Sequence, residues 1–306
     1  MPNFFIVGAQ KAGTTSLYHY LNQHPQVYMS PRKEPHFFEG MNSEFRRPGR
    51  RSVPVSDLAE YEALFDGASD ERAIGEASAS YLYSPRAPGL IKGSVPDAKV
   101  IAILRNPADR AYSNFLYCVQ VGREPLDSFA EALQAEEVRT RDKWGPLWYY
   151  KQKGFYYAQV KRYFDTFGRD QVGVWLYEDL KNDTFGTLGE VFRFLGIDES
   201  FVPDASIEYN PSGLPRIRRL YTGVRTLTAR NPALVERVLP ARLRGYVKSR
   251  IFVKPPPFPP EVRRQLTYSY KEDILRLQEL IGRDLSAWLE DTGLEGGGRY
   301  SELQKD

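Results

Sequence analysis

The stretch that most limits what this chain can fold into lies at its start. A short apolar, β-rich run, Phe4–Val7, breaks into Gly8-Ala-Gln-Lys-Ala-Gly13-Thr14-Thr15. Apolar residues then recur at helical spacing through Ser16–Gln23, at Leu17, Tyr20 and Leu21. The order is strand, glycine loop, helix. Glycines let the backbone turn so that successive N–H groups point inward, and a helix N-terminus adds partial positive charge, so the unit suits a phosphate. Thr14, Thr15 and Ser16 add hydroxyl donors. The competing reading is a plain turn whose glycines serve geometry alone; Lys11 beside the Thr-Thr-Ser run weighs against it.

The rest of the chain continues the alternation. Strands are expected at Val27–Met29, Ala73–Glu76, Lys99–Leu104 and Val172–Leu176. Helices are expected at Asp57–Phe65, from Pro107 to about Val121, and at Asp127–Val138, Tyr156–Phe167, Thr184–Leu195 and Glu261–Ile281. Gly196 supplies the stop after Leu195. The segment 200–216 reads as a loop, Pro255–Pro260 interrupts a helical C-terminal part, and the tail after Gly293 is polar. Apolar strands alternating with helices imply an α/β fold, a central parallel sheet covered on both faces. No repeat or linker divides the chain, so residues 1–306 are expected to form a single domain.

Hydrophobic residues make up 42% of the 306 and charged residues 26%, enough for an ordinary core. The net charge of +3 is mild and does not indicate nucleic-acid binding. One cysteine, Cys118, excludes an intrachain disulfide, and His19, His24 and His36 lack a metal-ligand pattern. The run Phe4–Val7 is too short for a signal core or a membrane span, and no other segment reaches that length. A cytoplasmic location is the expectation.

The glycines at positions 8 and 13 have the spacing of an NTPase phosphate loop, but its lysine is displaced to Lys11 and Thr14 stands in its place. The clearest strand ends in Arg105-Asn106, not in an acid suited to Mg²⁺. Arg105 lies where open α/β sheets place their ligands. Ser113 follows about two helical turns into the next helix, so both side chains can meet one phosphate. The bland reading is an Arg105–Asp109 pair.

At this point GAQKAGTTSL and ILRNPADRAYSNFL together resemble the two phosphate motifs of sulfotransferases that use 3′-phosphoadenosine-5′-phosphosulfate (PAPS). KEPHFFE, GFYYAQVKRYFDTFG, VWLYEDLKND and FRFLGI are similar to the heparan sulfate sulfotransferase branch. The resemblance covers residues 4 to about 216, and less specifically to about 290. It implies a sheet like that of the P-loop nucleotide kinases and no metal. It implies that Lys11, Ala12, Gly13, Thr14, Thr15 and Ser16 hold the 5′-phosphosulfate and that Arg105 and Ser113 hold the 3′-phosphate. Gly213 and Arg216, in NPSGLPRIRR, are the candidates for a late loop over that phosphate. Ala77, in GEASASYLY, stands where those enzymes often carry a lysine.

The resemblance makes Glu34 the general base, with Lys11 neutralising charge on the leaving group and His36 orienting Glu34 or the acceptor. PAPS is the expected donor, adenosine 3′,5′-bisphosphate the product, and a glycan or small molecule the acceptor. The plain alternatives are a solvated Glu34 beside Arg32 and Lys33, and a packed His36 beside Phe37 and Phe38. The aromatic stretch Trp144–Tyr157, with Lys151 and Lys153, reads as core or as an acceptor wall. Arg46–Arg51 reads as a solvated basic loop or a seat for an anionic acceptor. Two other classes stay open: a metal-dependent nucleotide kinase, and a non-catalytic polyanion-binding module using the basic loop with Arg216, Arg218 and Arg219.

Overall fold

The structure, a computed structural model, describes residues 1–39, 54–206, 214–215, 252–253 and 255–290. Arg46–Arg51, Gly213, Arg216, Arg218 and Arg219 lie outside the described residues.

Five strands form one parallel sheet: β1 (Phe4–Gly8), β2 (Val27–Met29), β3 (Ala73–Ala77), β4 (Lys99–Leu104) and β5 (Val172–Leu176), in the order β2-β3-β1-β4-β5. β1 is central and wholly buried, as its unbroken apolar run requires when both faces are covered. Ile6 pairs with Ile101 of β4 and with Ala77 of β3. Burying each large apolar side chain here contributes about 1.5–3 kcal/mol.

The helices are α1 (Thr14–Leu21), α2 (Leu58–Glu62), α3 (Ala87–Ser94), α4 (Pro107–Gln120), α5 (Phe129–Arg141), α6 (Tyr157–Phe167), α7 (Tyr177–Asn182), α8 (Thr184–Leu195) and α9 (Pro260–Ile281). Leu214–Pro215 and Phe252–Val253 form a separate antiparallel pair, β6 and β7. The chain crosses from β1 to β2 on one side of the sheet and from β3 to β4 and β5 on the other. Right-handed crossovers therefore put α1 on one face and α3–α6 on the opposite one. On the first face the His24 ring, just after α1, meets Phe192 of α8 at 4.9 Å. On the second, α6 packs against α3, α9 and β5.

The strand reading holds at all five positions. Helix starts obey capping chemistry: Asp57, Asn106, Ser128 and Asp183 accept hydrogen bonds from backbone N–H groups of the first turns. Helix α1 starts at Thr14, two residues before the expected Ser16. Two helices, α3 and α7, carry no signal that the sequence reading caught. Strand order reverses around β1, which places a crevice at the carboxyl ends of β1, β3 and β4.

Candidate active site

The loop leaving β1 is fixed first by its backbone. The Ala9 N–H donates to the Ile103 carbonyl of β4 at 2.6 Å, and the Ala12 N–H to the Ala9 carbonyl at 3.1 Å. Gly13 closes the loop in the left-handed region, with φ 88°. A Cβ there would stand 3.0 Å from the Tyr177 ring, so only glycine fits. Thr14, Thr15 and Ser16 form the first turn of α1. The Lys11 ammonium lies over the Tyr117 ring of α4, 4.7 Å from its centroid.

Arg105 follows β4 directly. Its Nη1 donates to the Lys11 carbonyl at 3.2 Å, across 94 residues of sequence. Its guanidinium stacks over Tyr177, 4.7 Å from the ring centroid, and its carbonyl accepts from the Tyr156 hydroxyl at 3.1 Å. Asp109 does not serve Arg105; it pairs with Arg263 of α9 at 3.0 Å. The structure therefore replaces the Arg105–Asp109 alternative. Ser113 is buried on α4, further along the same helix.

Glu34 reaches the crevice from the segment after β2. Its N–H donates to the Ala77 carbonyl at the end of β3, at 2.9 Å, which pins it beside β1. Lys33 Nζ stands 3.1 Å from Glu34 Oε1, and His36 Nε2 stands 3.4 Å from Oε2. His36 is buried; its other ring nitrogen lies 2.9 Å from Ser80 Oγ and 3.6 Å from Glu39 Oε1. Glu34 is thus held in a network, not loose in solvent. Phe38 is core, and Phe37 stacks on Tyr61 at 4.3 Å.

Four non-glycine residues among those described have positive φ: Lys11 (70°), Glu34 (62°), His36 (58°) and Lys143 (58°). Three of them are the residues singled out for chemistry. Each such conformation costs about 1–3 kcal/mol and persists where surrounding structure imposes it, commonly at working sites.

The structure adds a residue that sequence reasoning left among the aromatics. Lys153, in the 3₁₀ turn Gln152–Gly154, is buried, and its Nζ donates to Gln10 Oε1 in the loop at 2.5 Å. Burial first, then the neighbouring Arg110, push its amine down to about 7, while Glu39, Cys118 and Glu34 act the other way. The aromatic neighbours are mostly core: Trp148, Tyr149, Tyr150 and Tyr156 are buried. Cys118 is also buried, and desolvation pushes its thiol up to about 12, which leaves it a packed, unreactive group.

Fold and site together define an α/β protein in which a glycine loop, a strand-end arginine and a held carboxylate meet at the carboxyl ends of the sheet. The chain belongs to the Sulfotransferase family (Sulfotransfer_3), whose model matches residues 2–201. It is similar to mouse bifunctional heparan sulfate N-deacetylase/N-sulfotransferase 4, 28% identical over 305 residues, covering 94% of this chain and 31% of that protein. It is also similar to mouse heparan sulfate glucosamine 3-O-sulfotransferase 6, 29% identical over 223 residues, covering 71% of this chain and 59% of that protein. The chain spans less than two thirds of the length of these curated relatives. The crystal structure of a sulfotransferase from Alicyclobacillus acidocaldarius has the same fold: TM-score 0.74, 39% identity, with 95% of this chain and 99% of that one covered. Among the described residues no helix is long and apolar enough to cross a membrane.

Proposed function

We propose that the chain transfers a sulfuryl group from PAPS to a hydroxyl or amine of a carbohydrate or small-molecule acceptor. The observation that carries this reading is the hydrogen bond from Arg105 Nη1 to the Lys11 carbonyl. It brings both phosphate motifs into one crevice, as a donor charged at two ends requires. Family membership supports sulfuryl transfer over phosphoryl transfer, and the names of the relatives support a carbohydrate acceptor.

The residues present fit an anionic donor on their own terms. Arg105 is bonded to the Lys11 carbonyl, Arg110 and Lys153 line a small cavity beside Gln10 of the same loop, and Nε and Nη1 of the wholly buried Arg110 have no hydrogen-bond partner among the described residues. The left-handed turn at Gly13 lets the loop backbone approach a ligand closely. Lys11 and the loop from Ala12 to Ser16 would hold the 5′ end; Arg105 and Ser113 would hold the 3′-phosphate.

When bound, the donor supplies a sulfuryl group on a phosphate leaving group, so transfer forms a bond from the acceptor oxygen or nitrogen to sulfur and breaks the sulfur–oxygen bond to phosphate. Glu34 takes the acceptor proton on a carboxylate oxygen. His36 fixes that carboxylate through Nε2, its own ring held by Ser80 and Glu39 on the far side. Lys11 balances the negative charge left on the phosphate oxygen.

Thermal melting with adenosine 3′,5′-bisphosphate tests the donor site directly. Saturation at 100 times Kd stabilises by about 2.7 kcal/mol, and ATP–Mg²⁺ at the same concentration gives little. A shift with ATP–Mg²⁺ alone would overturn the reading. Labelled PAPS incubated with glycan, phenol and amine panels then identifies the acceptor by mass spectrometry.

A further inference from the structure

Lys153 and Arg110 line the same small cavity, together with Ala9 and Gln10 of the loop, Ala79, Leu82, Tyr83 and Gln159. Both side chains are buried, Arg110 wholly and Lys153 to within 5%. Among the described residues neither forms an ion pair within 4 Å. The Lys153 ammonium is met by a neutral carboxamide, Gln10 Oε1, and by the Tyr83 ring at 5.8 Å. Arg110 Nη2 donates to the Tyr150 carbonyl, and its other two nitrogens lack hydrogen-bond partners among the described residues. A buried charge is costly unless paired, and two adjacent buried cations repel. An anion held at the adjoining loop would offset both costs.

The position says which anion. Gln10 precedes Lys11 in the loop that would cradle the 5′ end of the donor, and Lys153 is within electrostatic reach of Glu34 and Glu39. The cavity therefore borders the loop at Gln10, where the Lys153 amine is also within electrostatic reach of the Glu34 carboxylate.

Resting on the donor reading above, we propose that Lys153, backed by Arg110, is a second cationic contact for the 5′ end of the donor, reached from the Gln10 side of the loop. Ala77 leaves the end of β3 without a cation, and Lys153 brings one from a distant 3₁₀ turn. The groups facing its amine are Arg110 and Cys118 on α4, Glu34, Glu39, Tyr83 and Gln10, with Lys11 beyond Gln10. In the free protein burial and Arg110 hold the amine near 7. A bound anion favours the ammonium, so binding at pH 8 takes up a proton and affinity falls as pH rises above 7.

The test is calorimetric titration of wild type, Lys153→Met and Lys153→Arg with adenosine 3′,5′-bisphosphate and with adenosine 3′-monophosphate, which lacks the 5′ group. Wild type is expected to bind the bisphosphate with proton uptake at pH 8, read from two buffers of different ionisation enthalpy; this measurement needs no variant to fold. Lys153→Met is expected to lose about tenfold in bisphosphate affinity with little change for the 3′-monophosphate. Lys153→Arg is expected to recover the affinity without the proton uptake. Unchanged bisphosphate affinity in Lys153→Met, or an equal loss with both nucleotides, would overturn the proposal. Failure of wild type itself to bind the bisphosphate would instead remove the donor reading on which it rests.

Discussion

Arg139 on α5 and Arg110 on α4 are both buried, and the fold treats them differently. Arg139 forks onto Glu124, with Nη1 to Oε2 at 2.8 Å and Nη2 to Oε1 at 2.6 Å. Glu124 also accepts from the Tyr150 hydroxyl at 2.5 Å and the Leu126 N–H at 2.9 Å. In that pair each charge is answered within the protein. Arg110 and Lys153 sit side by side with neutral hydrogen-bond partners, and carboxylates (Glu136 for Arg110, Glu39 and Glu34 for Lys153) act on them electrostatically without an ion pair within 4 Å among the described residues. A cation locked in a two-point fork to its own carboxylate serves the fold; one without such a fork is the better candidate for a ligand contact. The difference in pairing distinguishes the two arginines where burial alone does not.

The comparison can be pressed from its most sensitive point. Glu34→Gln should lower turnover by about 10²–10⁴-fold while bisphosphate affinity and melting temperature stay near wild type; steady-state kinetics with a binding titration check both. Arg139→Met should cost about 3–5 kcal/mol in urea unfolding, because Glu124 is left buried without its cation. Arg110→Met should cost less stability and weaken bisphosphate binding instead. Equal stability losses from the two arginines would break the distinction.

A smaller effect concerns Glu76, a buried acid answered by hydroxyls. It accepts from the Tyr61 hydroxyl at 3.0 Å, and desolvation moves its carboxyl from an ordinary 4.5 up to about 8. The folded protein keeps a proton that the unfolded chain gives up. Stability present below about 4.5 is therefore lost as pH rises through about 8. Glu76→Gln should flatten that slope in unfolding curves taken across the window. Ser113→Ala, removing one hydroxyl, should cost about 1 kcal/mol of bisphosphate affinity, roughly fivefold, with catalysis at saturation unchanged.

How far the sequence spoke depended on whether the signal was local. Lys99–Leu104 reads as a strand because every residue after Lys99 is apolar, and it is a strand at those bounds. Helix α3 was hidden because Pro88, Gly89 and Gly93 lie inside it; Pro88 sits in the first turn, where its missing N–H costs nothing. Helix α7 begins directly at the end of β5, with no turn residues to announce it. At the site, Lys11, Glu34 and Arg105 were visible through short motifs. Lys153 was not, because it lies in an aromatic segment whose pattern speaks for packing. Its partner Gln10 is 143 residues away, a pairing that only the folded chain creates.

The three left-handed residues at 11, 34 and 36 have a consequence for anyone who engineers this chain. Glycine would relax each backbone, but at the buried His36 it would also empty a site that Ser80, Glu34 and Glu39 now fill. A laboratory selection that rewards heat resistance alone should therefore reach glycine first at positions 11 and 34, where strain is relieved without emptying a buried site.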